Sequence, residues 1–191
     1  TFRTNSMSNM NNILVFLAEG FEEVEALAIV DVLRRGNQPV TTVSITGSLA
    51  VRGAHDVTIQ ADMLIEELQS GALPKAIALP GGLTKLNECE PLLELIRRQH
   101  AAGGTIAAIC ASPRVLGAAG IGDGKMRATC YPGIEEQVPG FVLTGADVEV
   151  CGHIVTGRGP ALALPFAFRL LEEVAGRKAA EQVAEGFLYN L

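Results

Sequence analysis

The chain of 191 residues contains no tryptophan, and only 5% of its residues are aromatic. A surface on which unpaired nucleic-acid bases stack needs several exposed rings, so this scarcity argues against single-strand binding. Cations are also in short supply: 15 Lys and Arg stand against 21 Asp and Glu, a formal net charge of −6. Those cations are scattered, so the footprint of a nucleic-acid partner is missing. No apolar run approaches the roughly 20 residues that cross a bilayer. The longest, ILVFLA and IAAICA, have the length of buried strands. Among Cys89, Cys110, Cys130 and Cys151 there is no CxxC pair and no Cys/His cluster at metal spacing, and neither a metal nor a cofactor is expected. Unpaired thiols suit a reducing compartment, so the expectation is a soluble, cytoplasmic protein. The opening TFRTNSMSNMNN lacks the apolar segment of a secretory signal. Residues 1–9 are therefore set aside as a cloning remnant or disordered leader, leaving residues 10–191 as one domain.

What the chain has is apolar material, 48% of its residues, enough to bury one core. Residues 12–18 form a continuous apolar run, as in a parallel strand covered on both faces. After the turn at Glu19-Gly20, Phe21, Val24, Leu27, Ala28 and Val32 recur at helical spacing, and Gly36 follows Arg34 and Arg35 as a stop. Residues 40–45 read as a second strand, 51–60 as extended chain, and 75–82 as a strand breaking at Pro80-Gly81-Gly82. Pro91 opens an amphipathic helix over 91–102. Residues 105–110 make another buried strand, followed by a short helix stopped by Gly120. Further strands are expected near 127–130, 148–151 and 154–156, then two C-terminal helices. This alternation predicts an α/β fold, a single domain with a mostly parallel sheet sandwiched between helices. Ligands of such sheets sit beyond the carboxyl ends of the strands, which points to residues 20–25, 80–82, 110–113 and 157–160.

In AAICASP a strand of small residues runs through Cys110 directly into a helix opened by Pro113. This has the form of a nucleophile elbow, with Ala108 and Ser112 where small residues let the backbones approach. A helix N-terminus beyond the sulfur would favour thiolate over thiol. A small buried cysteine would also suit the pattern. In LPGG, Gly81 and Gly82 present bare N–H groups that, with Ala111, can form an oxyanion hole; an ordinary tight turn reads the same way. Glu22 and Glu23 suit the positive end of a helix dipole. Glu25 lies on a helix against the sheet, and a carboxyl desolvated there would stay protonated and donate to a thiolate. Arg158, in TGRGP, either binds an anion or pairs with a surface carboxylate. His100 reads as solvated and His153 as structural, leaving His55, beside Asp56, as the candidate histidine.

With these residues assembled, the chain resembles the ThiJ/PfpI superfamily, in particular the branch of the Parkinson-disease-associated protein deglycase and its bacterial relatives. The motifs that carry the likeness are LAEGFEEVEA at 17–26, DVLRRG at 31–36, LPGG at 79–82, AAICASP at 107–113 and TGRGP at 156–160. The resemblance implies a flavodoxin-like three-layer sandwich and a homodimer in which Cys110 is the nucleophilic and oxidisable thiol and Glu25 its buried acid partner. It implies backbone donors at Gly81, Gly82 and Ala111, with Arg35 and His55 placed to approach a partner subunit's pocket. It implies activity on small aldehydes or glycated substrates: glyoxalase-type conversion of methylglyoxal to lactate, deglycation, or redox sensing by a non-enzymatic stress sensor or chaperone. One departure stands out. Where relatives carry a His before a Pro, this chain reads TCYPG, with Tyr131 in the His position; a tyrosine is a poor base near neutral pH. Cys130 beside it offers a second thiol to resolve an oxidised Cys110. A glutamine amidotransferase or a protease would need a further His base downstream of the elbow, and no His follows His153.

Overall fold

The structure, a computed structural model, describes residues 11–191. Residues 1–9, read as a remnant or leader, lie outside the described residues. Strand β1 (Ile13–Leu17) is buried along its whole length, as its unbroken apolar run requires. Helix α1 (Glu23–Arg35) carries the chain to β2 (Val40–Ser44), a hairpin of β3 (Ala50–Arg52) and β4 (Thr58–Gln60), and the short β5 (Met63–Leu64). Next come β6 (Ala76–Leu79), α2 (Glu90–Ala101), β7 (Thr105–Ile109) and α3 (Pro113–Ala119). A side pair, β8 (Met126–Ala128) and β9 (Phe141–Leu143), precedes β10 (Val148–Cys151) and β11 (Ile154–Gly157). Helices α4 (Ala163–Ala175) and α5 (Arg177–Phe187) close the chain.

The main sheet has seven strands in the order β10-β11-β7-β6-β1-β2-β5, parallel except for the β10–β11 pair. Each face is covered, which makes three layers. On one face Ile13, Val15, Leu17 and Ala107 pack with Ile29 of α1 and Phe166 and Leu170 of α4. On the other, Leu14, Phe16 and Ile77 pack with Leu92 and Ile96 of α2 and Leu116 of α3. This alternation of contacts along β1 is the period-two geometry of a strand with a core on both sides. After β1 the chain turns first to β2 on one side and later to β6 on the other. The crevice at that reversal is where an open α/β sheet binds ligands.

Helix α1 differs from its expected face. It buries Ala26, Ile29, Val32 and Leu33, while Val24 and Leu27 are 58% and 46% exposed. The helix begins at Glu23 and turns Glu25 inward, so Val24 and Leu27 rotate outward. Its stop differs too: Gly36 has an ordinary φ of −76°, and Asn37 takes the left-handed conformation. A Cβ at Gly36 would lie 2.5 Å from Leu171 Cδ1, so that position is small because α4 presses against it.

Candidate functional site

Strand β7 ends at Ile109, and Cys110 follows with a φ of +65°, a region that L-residues other than Gly, Asn and Asp rarely enter. Two backbone bonds hold it there. Its N–H donates to the Gly157 carbonyl at the end of β11, and its own carbonyl accepts from the Tyr131 N–H, both at 2.8 Å. The Ser112 hydroxyl donates to the Pro80 carbonyl, tying the elbow to the loop after β6. The small residues of AAICASP thus serve the close approach of three strand ends.

Glu25, in the first turn of α1, is completely buried. Its Oε2 accepts the Gly81 N–H at 2.7 Å, while Oε1 is buried without a hydrogen-bond partner. Burial raises the carboxyl to about 7, against the opposing pull of the Gly81 N–H and the Cys110 thiol. The thiol is itself pushed up to about 12, first by burial and then by the negative charge of Glu25; the N–H groups of Ala111 and Gly82 pull it down. These two groups compete for one proton. When Glu25 holds it, the repulsion that disfavours a thiolate is gone. The expectation that a helix N-terminus would by itself lower the thiol is corrected. Helix α3 is only seven residues long and starts with Pro113, which has no N–H to offer.

The two glycines divide their tasks. Gly81, expected as an oxyanion donor, has its N–H committed to Glu25, leaving Gly82 and Ala111 as the donors that face the sulfur. A Cβ at Gly81 would lie 2.5 Å from Glu25 Oε2 and 2.6 Å from Cys110 Cβ, so only glycine lets the acid and the thiol meet. Gly82 has a φ of +101°, and a Cβ there would lie 2.2 Å from the Gly20 carbonyl oxygen.

Above the sulfur is a cavity of about 300 Å³. Cys110, Gly82 and Ala111 line it, together with Glu22, Leu83, Tyr131, Ile134 and Pro160. Glu22 was expected only to complement the dipole of α1, yet it walls the cavity. Its place between a turn and an inward Glu25 was the sequence signal available. Leu83, Ile134 and Pro160 gave no signal, because nothing local distinguishes them from other loop residues.

The remaining candidates separate. Tyr131 lines the cavity, but its neighbour Cys130 does not; Cys130 is buried, and burial, then Glu135, pushes its thiol up to about 11. Arg158 is exposed and lies outside the cavity lining, its backbone N–H donating to the Asp147 carbonyl. Arg35 bonds Asp31 at 2.9 Å and lies 4.6 Å over the Phe187 ring. It is ten residues along α1 from Glu25, about 15 Å at the helical rise, so within one chain it is not part of the site.

His55 sits on the tip of the β3–β4 hairpin with its Nδ1 2.9 Å from Glu23 Oε2 and 3.7 Å from Glu22 Oε2. Its pKa is raised, mainly by the hydrogen bond to Glu23. Glu23 also accepts the His55 N–H at 2.6 Å and the Val57 N–H at 3.4 Å. Burial pushes the Glu23 carboxyl up, but the imidazole and these N–H donors outweigh it and hold it at about 2. Glu23, read as a dipole carboxylate, is thus the tether of a hairpin. Among the described residues, the ligand atoms of Glu22, Glu23 and His55 are the group that lies within 4.8 Å of one another, but the Glu23 oxygens are already engaged. His100, expected to be solvated, instead places its Nδ1 2.9 Å from His153 Nε2. That pair lies at the amino end of β11, opposite to the thiol. Among the described residues no helix is long and apolar enough to cross a membrane.

Residues 11–173 match the DJ-1/PfpI family. The chain is 38% identical over 184 residues to Protein dj-1beta of Drosophila melanogaster, covering 93% of this chain and 97% of that one. It is 31% identical over 175 residues to the glutathione-independent glyoxalase DJR-1.2 of Caenorhabditis elegans, covering 89% and 92%. Among solved structures, oxidized DJ-1 of Toxoplasma gondii superposes with a TM-score of 0.88 at 33% identity, covering 94% of this chain and 99% of that one. A profile that spans most of the chain, relatives matched nearly end to end and a shared three-layer fold give one conclusion: this chain belongs to the DJ-1/PfpI family.

Proposed function

We propose that the protein converts small reactive carbonyls in the manner of a cofactor-independent glyoxalase or deglycase, with methylglyoxal as the simplest substrate and residues 10–191 as one functional domain. The observation that carries this reading is the buried Glu25 carboxyl, raised to about 7, beside a thiol on a strained elbow. A group that titrates near neutrality beside a nucleophile can both release and accept a proton at working pH. The name of the Caenorhabditis elegans relative supports the same chemistry.

In the proposed reaction the Cys110 thiol gives its proton to Glu25, and the sulfur adds to the aldehyde carbon of methylglyoxal, forming a hemithioacetal. The former carbonyl oxygen rests against the Gly82 and Ala111 N–H groups. A proton then leaves the first carbon and returns to the second through Glu25, which converts the adduct to a thioester. Water cleaves the carbon–sulfur bond, releasing lactate and restoring the thiol. The sum is methylglyoxal plus water to lactate, with no oxidant. Cys110→Ala should abolish methylglyoxal consumption and lactate formation in an assay that follows both. Wild-type turnover no greater than that of the variant would end this reading.

A second reading rests on the same donors. Peroxide would oxidise Cys110 to the sulfenic and then the sulfinic acid, whose oxygens the Gly82 and Ala111 N–H groups would hold, making the protein a stress sensor or chaperone. The oxidized state named for the Toxoplasma gondii relative favours keeping it. Mass after mild peroxide would rise by two oxygens on Cys110; an unaltered residue would exclude it. A homodimer and a cytoplasmic location complete the proposal. The dimer is supported by the uncovered Val24 and Leu27 on α1, and the location by four free thiols.

A further inference from the structure

The cavity at the thiol is lined for something larger and more apolar than a methyl group. Tyr131, Leu83, Ile134 and Pro160 line it, and the one charged lining side chain is Glu22. Tyr131 and Leu83 are 48% and 86% exposed. Apolar surface left uncovered at a cavity mouth is unfavourable relative to covering it, which an apolar ligand group would do. The tyrosine is not loosely hung there. Its N–H donates to the Cys110 carbonyl at 2.8 Å, so its backbone is fixed to the residue whose sulfur reacts. Gly159 lies beside the ring, where a Cβ would meet Tyr131 Cδ2 at 3.5 Å, an ordinary van der Waals contact. An aromatic side chain thus lines the cavity from a backbone position fixed relative to the thiol. A ring bound there would gain offset or edge-to-face contact in addition to apolar burial. The volume of about 300 Å³ is at the small end for ligand sites, enough for one aromatic ring and a dicarbonyl group.

From this we propose that Tyr131 forms an aryl subsite, and that the preferred substrates are uncharged α-oxoaldehydes with an aromatic or bulky apolar substituent rather than methylglyoxal itself. The inference rests on the carbonyl-converting reading of the site and narrows its substrate class. The reacting atoms and the proton path are those given above, with the aryl group taking the place of the methyl.

The test compares phenylglyoxal with methylglyoxal in wild type, Tyr131→Phe and Tyr131→Ala. Wild type should show a kcat/KM at least tenfold higher for phenylglyoxal. Tyr131→Ala should lose most of that preference through a raised KM for phenylglyoxal, and Tyr131→Phe should retain it. Equal kcat/KM for the two aldehydes in wild type, or a preference that survives in Tyr131→Ala, overturns the subsite. A second measurement needs no turnover: the rate of Cys110 alkylation by N-benzyliodoacetamide relative to iodoacetamide, read by mass. That ratio should fall at least fivefold in Tyr131→Ala compared with wild type and be kept in Tyr131→Phe. A wild type that turns over neither aldehyde removes the enzyme reading, while the alkylation ratio still decides the subsite. An unchanged ratio overturns it.

Discussion

At the scale of single residues, the central pair is Glu25 and Cys110, and its proton can be followed through stability as well as reactivity. The Glu25 carboxyl lies at about 7 in the fold against 4.5 in its ordinary state. Between those values the folded chain keeps a proton that the unfolded chain has lost, so stability falls as pH rises through that window. Above pH 7 the accumulated loss is about 3 kcal/mol. Glu25→Gln removes the charge while keeping an oxygen for the Gly81 N–H. The variant should therefore melt several degrees above wild type at pH 8 and level with it near pH 4.5. A difference of the same size at both values would assign the effect to packing instead. The same substitution should lower the apparent pKa of Cys110 alkylation by about one unit or more, because it removes the charge that opposes the thiolate. Burial of Glu25 was legible from its place on a helix packed against the sheet. The commitment of Gly81 to it was not, since the partners are 56 residues apart and the N–H direction depends on both.

At the scale of elements, the site is assembled where β1, β6 and β7 end, and each of these strands was readable as a short apolar run because a parallel strand is buried on both sides. The β3–β4 hairpin was harder. Its three-residue strands carry little pattern, and what holds them is Glu23, which reaches across from α1. Gly53 leaves room for that reach: a Cβ there would lie 2.3 Å from Glu23 Oε1. Removing the carboxylate leaves the His55 and Val57 N–H groups without their acceptor, a loss of about 1–3 kcal/mol. Glu23→Ala should therefore speed amide exchange at His55 and Val57 while leaving β1, β6 and β7 protected. The tether should also fail in acid. Glu23 stabilises the fold above its unfolded value of 4.5, and that contribution is lost as pH falls toward 2, so wild type and Glu23→Ala should converge in stability there. Uniform loss of protection across the sheet would show that the hairpin is an integral part of the core rather than a tethered flap.

At the scale of the whole molecule, the sandwich was legible from the order of strands and helices, but the face of α1 was not. Periodicity marks which side chains share a stripe, and it cannot tell whether another part of the same chain or a second chain covers them. Val24 and Leu27, one turn apart on α1, were read as core and stand uncovered, with Val57 on the neighbouring hairpin 47% exposed. The proposed homodimer accounts for this with a self-complementary contact, in which the same helix is presented by both subunits about a two-fold axis. In such a contact a single substitution enters twice. Leu27→Glu would bring two carboxylates into the apolar centre, and each would have to give up its water or separate the subunits. The variant should sediment as a monomer at concentrations where wild type is a dimer, with its circular dichroism unchanged because Leu27 lies outside both core clusters of the chain. Its melting temperature should lose the dependence on protein concentration that an associating wild type must show. A wild type that sediments as a monomer would remove the dimer and leave the exposed face of α1 to be explained by a different partner.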